Sequence, residues 1–160
     1  MSLSGVFTIG LISDTHGLLR PEALVELQGS DCIIHAGDVG DPRILAELSR
    51  IAPVTVVRGN IDVQEWASAW PDTAQLEPNG MLIHVIHDLA GFTRDAAGPG
   101  LRAVVSGHSH RPGIREQDGI LFVNPGSAGR RRFSLPISMA RLHVTQTGIN
   151  AELVMLDIKR

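Results

Sequence analysis

The sequence predicts an α/β fold of two β-sheets, mixed in strand direction, with helices outside. Two observations lead there. In the first half, short apolar runs alternate with helical segments, an order that implies parallel pairing. In the second half, hairpin signals replace the helices.

The elements follow in order along the chain. Val6 to Ile12 reads as a buried strand that ends in Ser13-Asp14-Thr15-His16. Pro21 suits the first turn of a helix carrying Leu24 and Leu27, and Gly29 suits its end. Cys32 to Ala36 is a second strand, ending at Gly37-Asp38. Asp41-Pro42 is an N-cap followed by a first-turn proline, opening a helix with Ile44, Leu45 and Leu48. Val54 to Val57 is a third strand, ending at Arg58-Gly59-Asn60. Pro78-Asn79-Gly80 between Leu76 and Met81 marks a hairpin. Met81 to Ile86 is a buried strand that ends in His87-Asp88. Residues 95–100 read as a loop or a short helix end. Leu101 to Ser106 leads into Gly107-His108-Ser109-His110. Asp118-Gly119 joins two short strands, Ile114 to Gln117 and Ile120 to Val123. Ile137 to Val144 and Ile149 to Leu156 form a final hairpin. Met1-Ser2-Leu3-Ser4 precedes the first strand.

Length and composition set the frame. The chain has 160 residues, which suits one domain over 1–160 with one core. Hydrophobic residues make up 43% and charged residues 19%, which argues against disorder. A formal net charge of -3 gives no footprint for general nucleic-acid binding. The lone cysteine, Cys32, lies in an apolar run and reads as a buried core thiol. A reducing, cytoplasmic setting fits this usage. No signal peptide is visible, and no apolar run is long enough to span a bilayer.

The chemistry lies in the strand ends. Five apolar strands each finish in a polar cluster: Asp14 and His16, Asp38, Asn60, His87, and His108 with His110. In open α/β sheets the carboxyl ends of strands face the ligand crevice, so these clusters converge there. Their types are carboxylate, amide oxygen and imidazole, without thiolate. That set suits borderline divalent ions such as Mn²⁺, Fe²⁺, Ni²⁺ or Zn²⁺. In an extended turn, Asp14 and His16 project to the same side and hold one ion together. His108 and His110 face one cleft and reach different ions. The set is too large for one ion and about right for two sharing a bridge.

The ordered set Asp14-Thr15-His16, Gly37-Asp38, Gly59-Asn60-Ile61-Asp62, His87 and Gly107-His108-Ser109-His110 resembles that of the calcineurin-like metallophosphoesterases. Asn124-Pro125-Gly126-Ser127 resembles a turn of their small bacterial and archaeal phosphodiesterase branch. The resemblance implies a four-layer α/β sandwich, two mixed sheets flanked by helices. It implies that Asp14, His16 and His110 bind a first ion, that Asn60, His87 and His108 bind a second, and that Asp38 bridges them. Asp38, Asn60 and His108 then carry the catalytic roles. The two divalent ions are expected to be Mn²⁺, with Ni²⁺, Fe²⁺ or Zn²⁺ as alternatives. The expected reaction is phosphodiester hydrolysis by a hydroxide bridging the ions, on a small substrate such as a nucleotide-like molecule. Phosphomonoester hydrolysis at the same site is the alternative. A second alternative is a protein-binding scaffold like the retromer subunit of this fold. Homo-oligomerisation is left open, and no membrane partner is expected.

Several residues carry two readings. Asp88 stands where the family usually has glycine, and either orients an imidazole or caps the next segment. His35 either supports a ligand from behind or is a satisfied core histidine. His84 and His143 read as structural or solvent-facing. Asp41 reads as the N-cap in preference to an orienter of a catalytic histidine. Arg58 is within reach of a bound phosphate. Arg130-Arg131-Arg132 reads as a solvated loop in preference to a substrate-facing one. Trp66 and Trp70 read as helix-face packing or a subunit contact in preference to a surface that stacks a base or aryl group. Ile61 occupies a position where the larger superfamily often carries an acid-donating histidine, so loss of poor leaving groups should be slow.

Overall fold

The computed structural model describes residues 5–158, so Met1-Ser2-Leu3-Ser4 lie outside the described residues. The elements run β1 (Phe7–Ile12), α1 (Pro21–Leu27), β2 (Cys32–His35), α2 (Pro42–Ser49), β3 (Val54–Val56), β4 (Thr73–Leu76), β5 (Leu82–Ile86), α3 (Arg94–Ala97), β6 (Leu101–Val105), β7 (Gly113–Gln117), β8 (Ile120–Asn124), β9 (Ser138–Val144) and β10 (Ile149–Met155). Two five-stranded sheets result, ordered β10-β9-β1-β2-β3 and β4-β5-β6-β8-β7.

Each sheet has a parallel centre with antiparallel additions. β1, β2 and β3 pair in parallel, as the strand-helix order requires. The final hairpin then adds antiparallel to β1 through β9, with Ile9 opposite Leu142. In the second sheet β5, β6 and β8 are parallel, while β4 and β7 close the edges antiparallel. Gln117 pairs with Ile120 across Asp118 (φ 54°) and Gly119 (φ 77°), a two-residue turn whose positive φ values match strand twist. The Pro78-Asn79-Gly80 signal is a single 3-10 turn joining β4 to β5.

The two sheets pack face to face. Ile9, Leu11 and Ile34 from one meet Ile83, Val85, Ala103 and Val123 from the other. The outer face of the first sheet is covered by α1 and α2, whose Ala23, Leu27, Ile44 and Leu48 bury against Ile12, Ile33 and Met139. Asp41 caps α2 by accepting from the Arg43 backbone N–H at 2.9 Å, and also pairs with the Arg43 guanidinium. Its carboxylate is taken by its own helix, as the N-cap reading requires.

The fourth layer is thinner than the expected sandwich. Among the described residues, only the four-residue α3 and a 3-10 turn at Leu89–Gly91 lie over the second sheet. They bring Ala97, Leu89 and Phe92 over Leu101, Val104 and Ile120. Residues 87–100 connect β5 to its parallel neighbour β6 with a 3-10 turn and one short helix in place of a full crossover helix. Among the described residues, no helix is long and apolar enough to cross a membrane.

Leu142 is fully buried between the sheets, whereas Val63 is 79% exposed. Leu142→Ala should therefore cost about 2–5 kcal/mol in urea unfolding of the metal-free protein. Val63→Ala should stay within about 0.5 kcal/mol. Equal effects would contradict the between-sheet core.

Candidate metal centre

All five strand ends named from the sequence meet at one edge of the sandwich, where the parallel strands of both sheets terminate. The backbone there is unusual. Asp14 (φ 55°), His16 (φ 45°), Asp38 (φ 57°), His108 (φ 71°) and His110 (φ 63°) all lie in the left-handed region. The expected extended turn at Asp14–His16 is therefore corrected: two left-handed residues, not strand alternation, set the directions of these side chains. Asp and His tolerate this region better than most residues, but it remains unfavourable for any residue with a Cβ. Such backbone persists only where its surroundings hold it.

Those surroundings are specific hydrogen bonds. Asp14 N–H donates to Gly37 O (3.0 Å), and His16 N–H to Asp38 O (2.9 Å), lacing the exits of β1 and β2 together. Asp62, nearly fully buried, accepts from the backbone N–H groups of Val39 (3.1 Å), Gly40 (3.1 Å) and Gly59 (2.9 Å). It clamps the β2 exit to the β3 exit. Sequence reasoning quoted Asp62 within a motif but gave it no role. Gly59 and Gly107 permit close approaches, since a Cβ on Gly59 would strike the Asp38 backbone and carboxylate and one on Gly107 would strike Ser13.

His35 resolves as a positioning group. Its Nδ1 accepts from Gly37 N–H (3.1 Å), so the proton is on Nε2, which faces the Thr15 hydroxyl at 3.0 Å. That hydroxyl donates onward to Val39 O at 2.8 Å. Burial pushes the His35 imidazole down to about 4, so it stays neutral. The Asn124 to Ser127 turn braces the other side. Asn124 Nδ2 donates to Gly107 O (3.0 Å), and the Ser127 hydroxyl donates to Asp14 O (3.0 Å).

Two groups of ligand atoms emerge, Asp14 with His16 and His110, and Asp38 with His87 and His108, the atoms in each lying within 4.8 Å of one another. Asn60 joins the second, its Oδ1 3.0 Å from His87 Nε2 and 3.1 Å from His108 Nδ1. Asp38 Oδ2 stands between the groups, 3.3 Å from His16 Nε2 and 3.2 Å from His87 Nε2. His87 donates from Nδ1 to Ala36 O at 2.7 Å, which leaves the Nε2 lone pair directed at the centre. Asp14 Oδ1, His16 Nε2 and both ring nitrogens of His110 are buried without hydrogen-bond partners. Buried polar atoms are rarely left so, and a convergent set of oxygen and nitrogen lone pairs fits divalent cations.

The electrostatics agree with that fit. Burial alone would raise the Asp14 carboxyl, but His110, His16 and the Ser13 hydroxyl beside it hold it well below the usual range. Burial opposes ionisation of Asp38 too, and is outweighed by His16, His87 and the Ile61 N–H. Asp14 and then Asp38 push His16 up to about 9. In the metal-free protein the two carboxylates thus borrow positive charge from protonated imidazole.

The remaining residues fall outside the two groups. Asp88 accepts from Ala90 N–H at 3.0 Å, capping the 3-10 turn, and its other oxygen stands 3.8 Å from His108 Nε2. Arg58 is engaged by Asp72 at 2.9 Å. His84 is buried beside Gln75, and His143 lies on the sheet surface against Glu152. Trp66 and Trp70 pack edge to face, and Trp70 joins the helical side of the core. Arg130, Arg131 and Arg132 are exposed. Cys32 is half-buried, and burial pushes its thiol up to about 11, which suits an inert residue.

A mixed two-sheet sandwich with histidine, aspartate and asparagine gathered at its strand ends defines the metallophosphoesterase class. The sequence profile of the calcineurin-like phosphoesterase superfamily domain matches residues 7–147, and the chain belongs to that superfamily. A protein of Methanothermobacter thermautotrophicus named a probable metallophosphoesterase is 34% identical over 158 residues, covering 91% of each chain. Among solved structures, an archaeal phosphodiesterase superposes with a TM-score of 0.73 at 20% identity, covering 92% of this chain and 99% of its own. Vps29 of Chaetomium thermophilum superposes with a TM-score of 0.75 at 20% identity, covering 94% and 100%.

The proton on His16 gives the first test at this site. Because its folded pKa is raised, its ion pair stabilises the metal-free fold fully below pH ~6.5 and is lost as pH rises through about 9. A cation must displace that proton, so apparent affinity should rise with pH across this window and binding at pH 7.5 should release protons. Calorimetry in buffers of different ionisation enthalpy measures both. Affinity independent of pH would exclude His16 as a ligand. A second test compares Asp38→Asn with His84→Ala. The first should lose most bound metal and the second should keep it, by elemental analysis of folded protein. Equal metal contents would break the assignment.

Proposed function

We propose that the chain is a metal-dependent phosphodiesterase whose two ligand groups each hold a divalent ion, most suitably Mn²⁺, with Asp38 shared between them. The carrying observation is the Asp38 carboxylate, one oxygen of which touches an imidazole from each group. Divalent ions held there would supply Lewis acidity toward a phosphoryl group and an activated water.

The chain's own residues do the rest. Asp14, His16 and His110 form one cradle, and Asn60, His87 and His108 the other. Asp14 and Asp38 are the two carboxylates of the ligand set, so two divalent ions retain net positive charge toward a phosphodiester anion. Asn60 donates an amide oxygen without adding charge. The Ala36 carbonyl fixes the His87 tautomer, and the neutral His35 fixes the turns around it. His108 is the exposed ligand, its side chain 47% accessible, and so stands at the mouth where a phosphoryl oxygen arrives. Ile61 lies beside Asp38, its N–H donating to the carboxylate at 3.0 Å, and its side chain carries no proton for a leaving group.

The likeness to Vps29 supports a second reading, a binding scaffold without turnover. Two features favour an enzyme: the ligand set is complete, and the mouth at His108 is open to solvent.

Chelation should abolish hydrolysis of a chromogenic diester, and Mn²⁺ or Ni²⁺ should restore it. Full activity in metal-stripped protein would overturn the proposal, and metal-loaded protein inert on every mono- and diester would favour the scaffold. The leaving-group half of the reaction is tested at Ile61. Rates should fall steeply as leaving-group pKa rises, and Ile61→His should accelerate alkyl esters more than aryl esters. General acids typically contribute ~10²–10⁴-fold, of which a grafted histidine should recover a part. A flat wild-type series at matched metal content would show that another acid already acts.

A further inference from the structure

The loop between β8 and β9 stands on the first ligand group. Its two stems meet at Ser127, which pairs with Ile137 across the neck and whose carbonyl accepts from Ser138 N–H at 2.9 Å. The Ser127 hydroxyl donates to Asp14 O at 3.0 Å, and Ala128 N–H donates to Ser13 O at 3.1 Å. Gly129 lies so close to the Asp14 and Thr15 carbonyls that a Cβ there would strike both. Arg20 Nε donates to Gly129 O at 3.0 Å and pins the start of the loop. Residues 130–134 follow directly on this anchor and are exposed.

Exposed arginines by themselves fit a solvated loop, but Phe133 does not. It is 87% exposed, the highest value among the exposed large apolar side chains of the described residues. It also has φ 54°. Leu135 N–H donates to Arg132 O at 3.1 Å, so Phe133 is the first central residue of a tight turn. Positive φ at that position favours Gly, Asn or Asp, and a Phe there costs backbone strain and apolar hydration together. A solvated turn gains nothing from the ring, whereas a planar ligand laid on it offsets the hydration cost. Arg130, Arg131 and Arg132 precede it in consecutive positions. The arginines with ion-pair partners among the described residues are Arg43, Arg50, Arg58 and Arg141, so these three stand without one. With a formal net charge of -3 for the whole chain, this positive charge is local.

Unpaired guanidinium groups beside an exposed ring are the parts of a single-strand nucleic-acid contact, charge for the phosphates and an aromatic face for a base. Consecutive arginines exceed what one monophosphate needs and suit a chain of phosphates. An anionic membrane also attracts arginine, but holding to one takes a broad apolar face, and Phe133 is the one exposed large apolar residue of this loop. We infer that loop 128–136 docks single-stranded nucleic acid, with a base on Phe133 and successive phosphates on Arg130, Arg131 and Arg132. Because the neck of the loop is bonded to the backbone of Asp14, a docked strand lies at the margin of the metal centre. That the strand is also the substrate rests on the diesterase reading above; its docking does not.

The test reads binding by the full chain in chelator and requires no turnover. Fluorescence anisotropy with a short labelled oligothymidylate should show saturable binding, on the order of tenfold tighter than to an abasic strand of equal length. Affinity should fall with salt at a log–log slope of about −2, as expected for a few phosphate contacts on a single strand. Phe133→Asn relaxes the turn, so thermal stability should hold or rise while the preference over the abasic strand disappears. Phe133→Trp should preserve that preference. Arg130→Gln with Arg131→Gln and Arg132→Gln should weaken binding and flatten the salt slope. None of these positions is a proposed ligand, so metal content should match wild type. Equal binding of the oligothymidylate and the abasic strand by wild type would overturn the inference, as would a preference that survives Phe133→Asn. Capture by phosphatidylserine vesicles without strand binding would also overturn it and assign the loop to a membrane surface. A strand held but left uncleaved by metal-loaded protein would count against the diesterase reading alone.

Discussion

The centre depends on one buried carboxylate that belongs to neither ligand group. Asp62 accepts three backbone N–H groups, two from the turn after β2 and one from the turn after β3. Without it those donors would be buried unpaired, at a cost of about 1–3 kcal/mol each. With it, Asp38 and Asn60 are held in fixed relation although 21 residues separate them in sequence. Ile61 N–H, one residue before Asp62, completes the tie by donating to Asp38 itself. The Asp38 carboxylate is therefore positioned by backbone hydrogen bonds alone.

Backbone strain and charge then oppose each other in a useful way. Five candidate ligands have positive φ, and two of the ligands are carboxylates in a buried cluster. Neither feature is favourable alone. The strain is held by the lacing of 14–16 onto 37–39 and by the Asn124 to Ser127 brace. The carboxylates are held by imidazoles, which in metal-free protein take up protons to balance them. A site so built is preorganised for cations, because cations relieve the like-charge cost and satisfy lone pairs that have no other partner.

Much of this was legible in the sequence, for identifiable reasons. Strand ends in a parallel sheet must converge, so Asp14, Asp38, Asn60, His87 and His108 could be gathered from order alone. The Asp41-Pro42 cap and the Asp118-Gly119 hairpin were legible because local chemistry decides them. Left-handed φ at Asp14 and His16 was not legible, because tertiary hydrogen bonds to Gly37 and Asp38 impose it. Asp62 and His35 were missed or left open for the same reason: their roles are contacts with distant backbone. The pairing of β9 with β1 was likewise set by the core, where Leu142 meets Ile9.

The thin fourth layer explains why a pocket exists beside the centre at all. A full helix after β5 would cover the outer face of the second sheet out to β7. The Leu89–Gly91 turn and α3 cover only its middle, through Phe92 on Phe122 at 6.0 Å and Ala97 in the cluster around Leu101. Beyond them the Arg115 guanidinium lies over the Phe122 ring, 4.4 Å from its centroid. Phe122 shares a pocket lining with His108, the candidate ligand most open to solvent. In this fold, specificity need not be written in the ligand set, which is fixed by the geometry of the strand ends. It can be written in the length of the segment after His87, which decides how much of the second sheet remains for a substrate to touch.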